Sequence, residues 1–224
     1  MRLLLLGLTG AEPSFQAWRQ YLSATGVPFD AVALNRLETQ LQFVDEHGRA
    51  RFQGLVLADG EAIRIALEPW QRADLERAER RLVTRRLTTY AVPGPEYGLE
   101  PARWAGPMDE LEAELTPRGR EVFPYLRDRL PIEPGSWTYL AAPASDRFET
   151  LVAGPERCTL VGIHRHPDGR EEMVQLFDAN ACQAQGRALR RGQLAWLTGG
   201  THLGFDRNHL SMQVDDVLMG NHSW

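Results

Sequence analysis

The stretch RLLLLG, residues 2–7, limits the possible folds most sharply. Four consecutive leucines, Leu3 to Leu6, are closed by Gly7. Successive side chains of a strand point to opposite faces, so an uninterrupted apolar run requires cover on both. That pattern belongs to a central strand of a parallel sheet and points to an α/β fold. The run is far short of the roughly 18 apolar residues that suggest a membrane span. With Arg2 as its only basic flank it also lacks the n-region of a secretory leader. Leu3 to Leu8 is therefore expected to be a buried first strand.

The following segments extend this pattern. PSFQAWRQYLSATG places Phe15, Trp18 and Leu22 at helical spacing and closes on Gly26. VPFDAVAL and ARFQGLVLADG read as strands, the latter ending in Asp59-Gly60. EAIRIALEPWQRADLERAERRLVTRR reads as a helix interrupted by Pro69, its Arg and Glu residues forming a solvated outer face. LTTYAVP reads as a strand and GPEYGLEP as a loop. Residues 105–150 carry recurrent prolines and are expected to form a loop-rich excursion of short strands and turns. CTLVGIHRHPDGREEMVQLF is a β-hairpin around Pro167-Asp168-Gly169, where Pro presets φ and Gly accepts positive φ. CQAQGRALRRGQLAWLTGG is a helix ended by Gly199-Gly200. HLSMQV alternates, with Leu210, Met212 and Val214 on one face, and reads as a new strand ending at Asp215 and Asp216. This order predicts a doubly wound α/β fold with a flavodoxin-like or Rossmann-like sheet.

Composition narrows the function classes. A net charge of −5 and a pI near 5.7 argue against a nucleic-acid or anionic-membrane partner. All 25 basic residues are Arg, so no Lys is present for Schiff-base or phosphate-loop chemistry. Neither a GxGxxG nor a GxxxxGK[ST] motif occurs.

Several residues qualify as site candidates. Cys158 and Cys182 form no CxxC pair and read as buried or half-buried thiols. Cys182 lies between a strand and a helix, which suits a nucleophile elbow, although Ala181 and Gln183 are unsuitable flanks and a structural thiol remains the alternative. His164 and His166 share one strand face; with Asp168 or Glu171 they could ligate a metal, or they could be polar surface at an exposed hairpin end. Tyr97, Trp104, Phe123, Tyr125 and Trp137 could stack on sugar rings or fill the core. Paired carboxylates at a strand's C-terminal end, as at Asp215 and Asp216, can divide metal binding and general-base work between them, or can be a solvated strand end.

The C-terminal segment RNHLSMQVDDVLMGNHSW resembles the first catalytic motif of a group of secreted polysaccharide deacetylases, the carbohydrate esterases typified by the fungal galactosaminogalactan deacetylase. TYAVPGPEYGL, TPRGREVFPYL, HPDGREEMVQLFDAN and LAWLTGGTHLGFDRNHLS extend the resemblance in order over roughly residues 80–224. It implies metal-dependent N-deacetylation of an amino-sugar polysaccharide, with Asp215 as base and Asp216 as ligand of a divalent metal such as zinc. It also implies an extracellular or cell-surface setting; without a convincing signal segment, a cytoplasmic one is the alternative. The family's histidine pair follows the Asp-Asp motif, and after Asp216 only His222 occurs. The expectation is therefore the N-terminal portion of such an enzyme, lacking its C-terminal deacetylase domain, binding no metal tightly and inactive alone. Residues 1–204 resemble a class I glutamine-amidotransferase-like domain, and 205–224 begin the deacetylase barrel with its first strand. Two other readings stand beside this one: a stand-alone α/β carbohydrate-binding or scaffold protein, and a cysteine hydrolase using Cys182, which requires a histidine within reach of its sulfur.

Overall fold

A computed structural model describes residues 2–36, 41–109 and 111–201. The leucine run forms β1 (Arg2–Gly7), and Leu3 to Leu6 are all fully buried. Full burial of each such side chain contributes about 1.5–3 kcal/mol. The helix α1 (Pro13–Thr25) begins with Pro at its first turn and ends on Gly26 at φ 68°, a left-handed conformation that glycine adopts without strain. It leads to β2 (Phe29–Ala33). Next come β3 (Phe52–Ala58), α2 (Gly60–Ala66), α3 (Pro69–Leu82) and β4 (Arg85–Thr89). The excursion contains β5 (Trp104–Pro107), β6 (Glu114–Leu115), α4 (Pro117–Val122), β7 (Trp137–Leu140) and β8 (Phe148–Ala153). The hairpin is β9 (Thr159–Arg165) and β10 (Glu171–Gln175), followed by α5 (Ala184–Leu197).

The main sheet has eight strands in the order β2-β1-β3-β4-β10-β9-β8-β6. The first five run parallel, giving the flavodoxin-like arrangement expected from the pattern. An antiparallel wing of β9, β8 and β6 extends it, while β5 and β7 form a separate ribbon. One core packs Leu3, Leu5, Val56 and Leu87 against Phe15, Trp18 and Leu22 of α1 and Leu189 and Leu194 of α5. A second packs Leu4, Leu6, Leu55 and Leu57 against Ile63, Leu67 and Leu75 of α2 and α3. Helices on both faces satisfy the two-sided burial that the leucine run demands.

Two expectations are corrected. Arg85 and Arg86 do not continue the charged helix: Val83, at φ 53°, ends α3, and the arginines open β4. The charges in that stretch are not all solvated either, because Glu79 is only 2% exposed and Arg86 turns inward to it. The strand expected at 209–214, with Asp215, Asp216 and His222, lies outside the described residues.

Candidate functional site

In a sheet that winds both ways, ligands meet the carboxyl ends of the parallel strands, near the point where the strand order reverses. Here β1 connects outward to β2, whereas β3 lies on its other side. Four chain segments leave this edge carrying Glu12, Asp59, Tyr90 and Asp178, after β1, β3, β4 and β10 respectively.

Glu12 precedes α1, and its carboxylate accepts hydrogen bonds from the Thr9 and Gly10 N–H groups at 2.6 and 2.9 Å. Burial alone would raise its pKa; these bonds outweigh it and hold the group below its ordinary value. Asp59 caps α2, accepting from Ala62 N–H at 3.2 Å. Its backbone is left-handed, at φ 68°. Burial pushes its carboxyl up, and the like charges of Glu12, Glu61 and Asp178 add to the rise. Tyr90, also left-handed at φ 51°, stacks on Tyr139 of β7 with ring centroids 5.6 Å apart. Its hydroxyl is pushed up by burial first and by the neighbouring Tyr139 hydroxyl second. Asp178 accepts Trp137 N–H at 2.7 Å, and its own N–H returns to Trp137 O at 3.1 Å. Burial raises this carboxyl too. Trp137 and Tyr139 are two residues apart in β7 and so face the same way. Trp137 is 46% exposed. The edge thus combines half-buried carboxylates with stacked and exposed aromatic rings.

Such an edge can accept hydrogen bonds from hydroxyl or ammonium groups and stack against an apolar ring face. The strained turns that could present a nucleophile hold Asp59 and Tyr90, neither of which is a cysteine or serine. Cys182 is exposed, a correction to the expected buried or half-buried thiol, and its N–H bonds Asn180 Oδ1 at 2.8 Å in the turn before α5. Among the described residues no histidine hydrogen-bonds to its sulfur. Cys158 is buried, and burial raises its pKa.

The hairpin histidines are not polar surface. His164 is 5% exposed, and the His166 ring centre lies 4.3 Å from its own. They face an ion cluster on the α2/α3 side of the sheet. Glu172 Oε2 lies 2.8 Å from Arg86 Nη2 and 2.9 Å from His166 Nε2, and Thr88 Oγ1 donates to the other carboxylate oxygen. Glu79 pairs with Arg86 at 3.3 Å and Arg170 at 3.0 Å. Burial works to raise Glu172, yet Arg86, His166 and Thr88 hold it at about 2. Asp168 and Glu171, the proposed companions of the histidines, are taken by Arg80 and Arg85 instead, each at 2.9 Å. Among the described residues no group of three His, Cys, Asp or Glu could hold a metal ion. Of the aromatic candidates, Tyr97 and Phe123 are buried, while Trp104, Tyr125 and Trp137 are exposed. The sequence reading passed over Tyr90, Tyr139, Asp178 and Glu172 and saw in Asp59 only a strand end. The available signal was position alone, and it reaches only Asp59 and Asp178, which stand at carboxyl ends of predicted strands.

No protein-family model matches the sequence, and no curated protein matches it. Solved structures do. A carbohydrate deacetylase, Agd3, superposes with a TM-score of 0.72 at 17% identity over 91% of this chain. The chain spans 33% of that protein's length. A glutamine amidotransferase from Thermotoga maritima superposes at 0.50 and 12% identity, covering 80% of this chain and 75% of that one. A β-galactosidase from Halorubrum lacusprofundi gives 0.53 at 13% identity, over 88% of this chain and 30% of that one. At these identities the likeness establishes the fold.

Proposed function

We propose that the chain is an accessory, non-catalytic α/β domain of an amino-sugar polysaccharide N-deacetylase, working outside the cell or at its surface. The observation that carries this reading is the superposition on a carbohydrate deacetylase over 91% of the chain at a TM-score of 0.72. The Asp215-Asp216 motif, which resembles the first catalytic motif of such enzymes, supports it from the sequence. In this reading Asp215 is the base and Asp216 a metal ligand, both outside the described residues. A divalent metal there would activate water for attack on the N-acetyl carbonyl. Among the described residues no group of three His, Cys, Asp or Glu could hold that metal, and in this reading its ligands are sought outside them.

The role of the described domain is to hold the polymer. Its acidic, aromatic edge suits sugars, and free-amine units above all, because Glu12, Asp59 and Asp178 place negative charge where an ammonium group can lie. Supplying the chain with zinc and a partly N-acetylated amino-sugar polymer tests this. The polymer is expected to bind with no acetate released. Acetate release abolished by Asp216→Asn would make this chain the catalyst and sink the accessory reading. A second reading, a stand-alone carbohydrate-binding protein, draws support from the amidotransferase, three quarters of whose chain this fold spans.

A further inference from the structure

The ion cluster borders a cavity of about 440 Å3 between α2, α3 and the turn at Pro95–Tyr97. That volume lies within the range of small-molecule sites, roughly 300–1,000 Å3. Its walls carry unmatched hydrogen-bond donors. Tyr97 lines the cavity and is 6% exposed, yet its hydroxyl makes no hydrogen bond among the described residues. Gly60 helps to leave that hydroxyl open, since a Cβ at residue 60 would stand 3.4 Å from it. Arg72 lines the same cavity without an ion-pair partner among the described residues, and its buried Nε–H has no acceptor. The Nε–H of Arg86 is also buried without an acceptor, although the terminal nitrogens of Arg86 meet Glu79 and Glu172. The acceptors on the inner wall are already engaged. Glu172 holds Arg86, Thr88 and His166, and Glu76 lies 3.8 Å from Arg170. Glu96, exposed on the rim, is among the charges that raise the pKa of Arg64 across the wall.

A buried donor without an acceptor is destabilising, and a surplus of donors is met by a ligand that brings lone pairs. We propose that this cavity binds a small hydroxylated monocarboxylate of the uronic-acid type, its carboxylate held by Arg72 and Tyr97. Arg72 offers the planar fork that matches a carboxylate, and Tyr97 supplies a further O–H. The other arginines of the wall, Arg64, Arg86 and Arg170, are each ion-paired, which leaves the single guanidinium of Arg72 for the ligand and favours a monoanion with neutral hydroxyls over a doubly charged phosphate.

Calorimetric titration of the whole chain with glucuronate tests this, with glucose and inorganic phosphate as controls. Glucuronate is expected to bind more tightly than either control. Arg72→Gln and Tyr97→Phe should each weaken it at least about tenfold, the size of one charged hydrogen bond. Both variants should keep the parent's circular dichroism and thermal midpoint, since Arg72 has no partner to lose and Phe preserves the buried ring. Arg72→Gln should leave binding of a free-amine amino-sugar polymer unchanged, which separates this site from the polysaccharide reading. Glucuronate binding no tighter than glucose, phosphate binding tighter than glucuronate, or folded variants that bind like the parent would each overturn the proposal.

Discussion

Arg86 and Glu172 show what single buried residues impose on this fold. Glu172 is 1% exposed and bonded to three neighbours, so its removal takes from the buried Arg86 guanidinium the closer of its two carboxylate partners and leaves Glu79 alone to face it. Glu172→Leu should lower stability by about 3–5 kcal/mol in urea unfolding, because removing one partner of a buried ion pair leaves the other charge under-compensated. His164 makes the fold sensitive to acid. Burial, and then His166 beside it, bring its pKa from an ordinary 6.5 down to about 4, with Glu172, Arg147 and Arg170 also facing it. Between those values the unfolded chain binds more protons than the folded one, so stability rises with pH across the window and falls as pH drops through it. Glu79, raised by burial, tilts the opposite way above its own ordinary range. Thermal midpoints at pH 7 and pH 4.5 should differ less in His164→Asn than in the parent. None of this cluster was legible in the sequence. Glu79 and Arg86 looked like a solvated charge run, and His164 like a hairpin surface residue. Their burial follows from β10 pairing beside β4, which aligns Glu172 with Arg86; that pairing joins residues 86 positions apart and leaves no local pattern.

At the scale of elements, legibility followed periodicity. The leucine run, the helix spaced on Phe15, Trp18 and Leu22, and the Pro-Asp-Gly hairpin each carried their own signal and each formed. The excursion did not, because its elements depend on partners. β6 has two residues and exists by pairing with β8. α4 has six residues, and its one local signal is Thr116-Pro117. Thr116 Oγ1 caps the helix by accepting Gly119 N–H at 3.0 Å and donates to Thr150 O at 2.7 Å. Gly119 permits the close approach to β8, since a Cβ there would stand 2.0 Å from Leu151 O. That contact is with backbone, which cannot swing away. Gly119→Ala is therefore expected to destabilise by about 1–3 kcal/mol, as overpacking does. Gly169→Ala serves as the comparison: it meets nothing within 4 Å and suffers only from its φ of +87°. A thermal melt of both variants, with the larger drop at residue 119, is the outcome expected.

Across the whole molecule, one topological fact places the candidate site. Five parallel strands end along one edge, and the connections leaving it deliver Glu12, Asp59, Tyr90 and Asp178 to the same neighbourhood. The doubly wound, flavodoxin-like sheet was legible in the order of strands and helices. The loss of nucleophile geometry was not, because it depends on which residue occupies a left-handed turn. Here those residues are Asp59 and Tyr90, and Cys182 lies elsewhere. Under the proposed function this edge serves contact with a polymer. The most direct test is a calorimetric titration with a free-amine amino-sugar oligomer and with its N-acetylated counterpart, repeated on Asp59→Asn and Tyr139→Ala. Tighter binding of the free-amine oligomer, weakened about tenfold or more in either variant, is the result expected. Equal affinity for both oligomers, or parent-like binding in both variants, would contradict a polysaccharide-holding role for this edge.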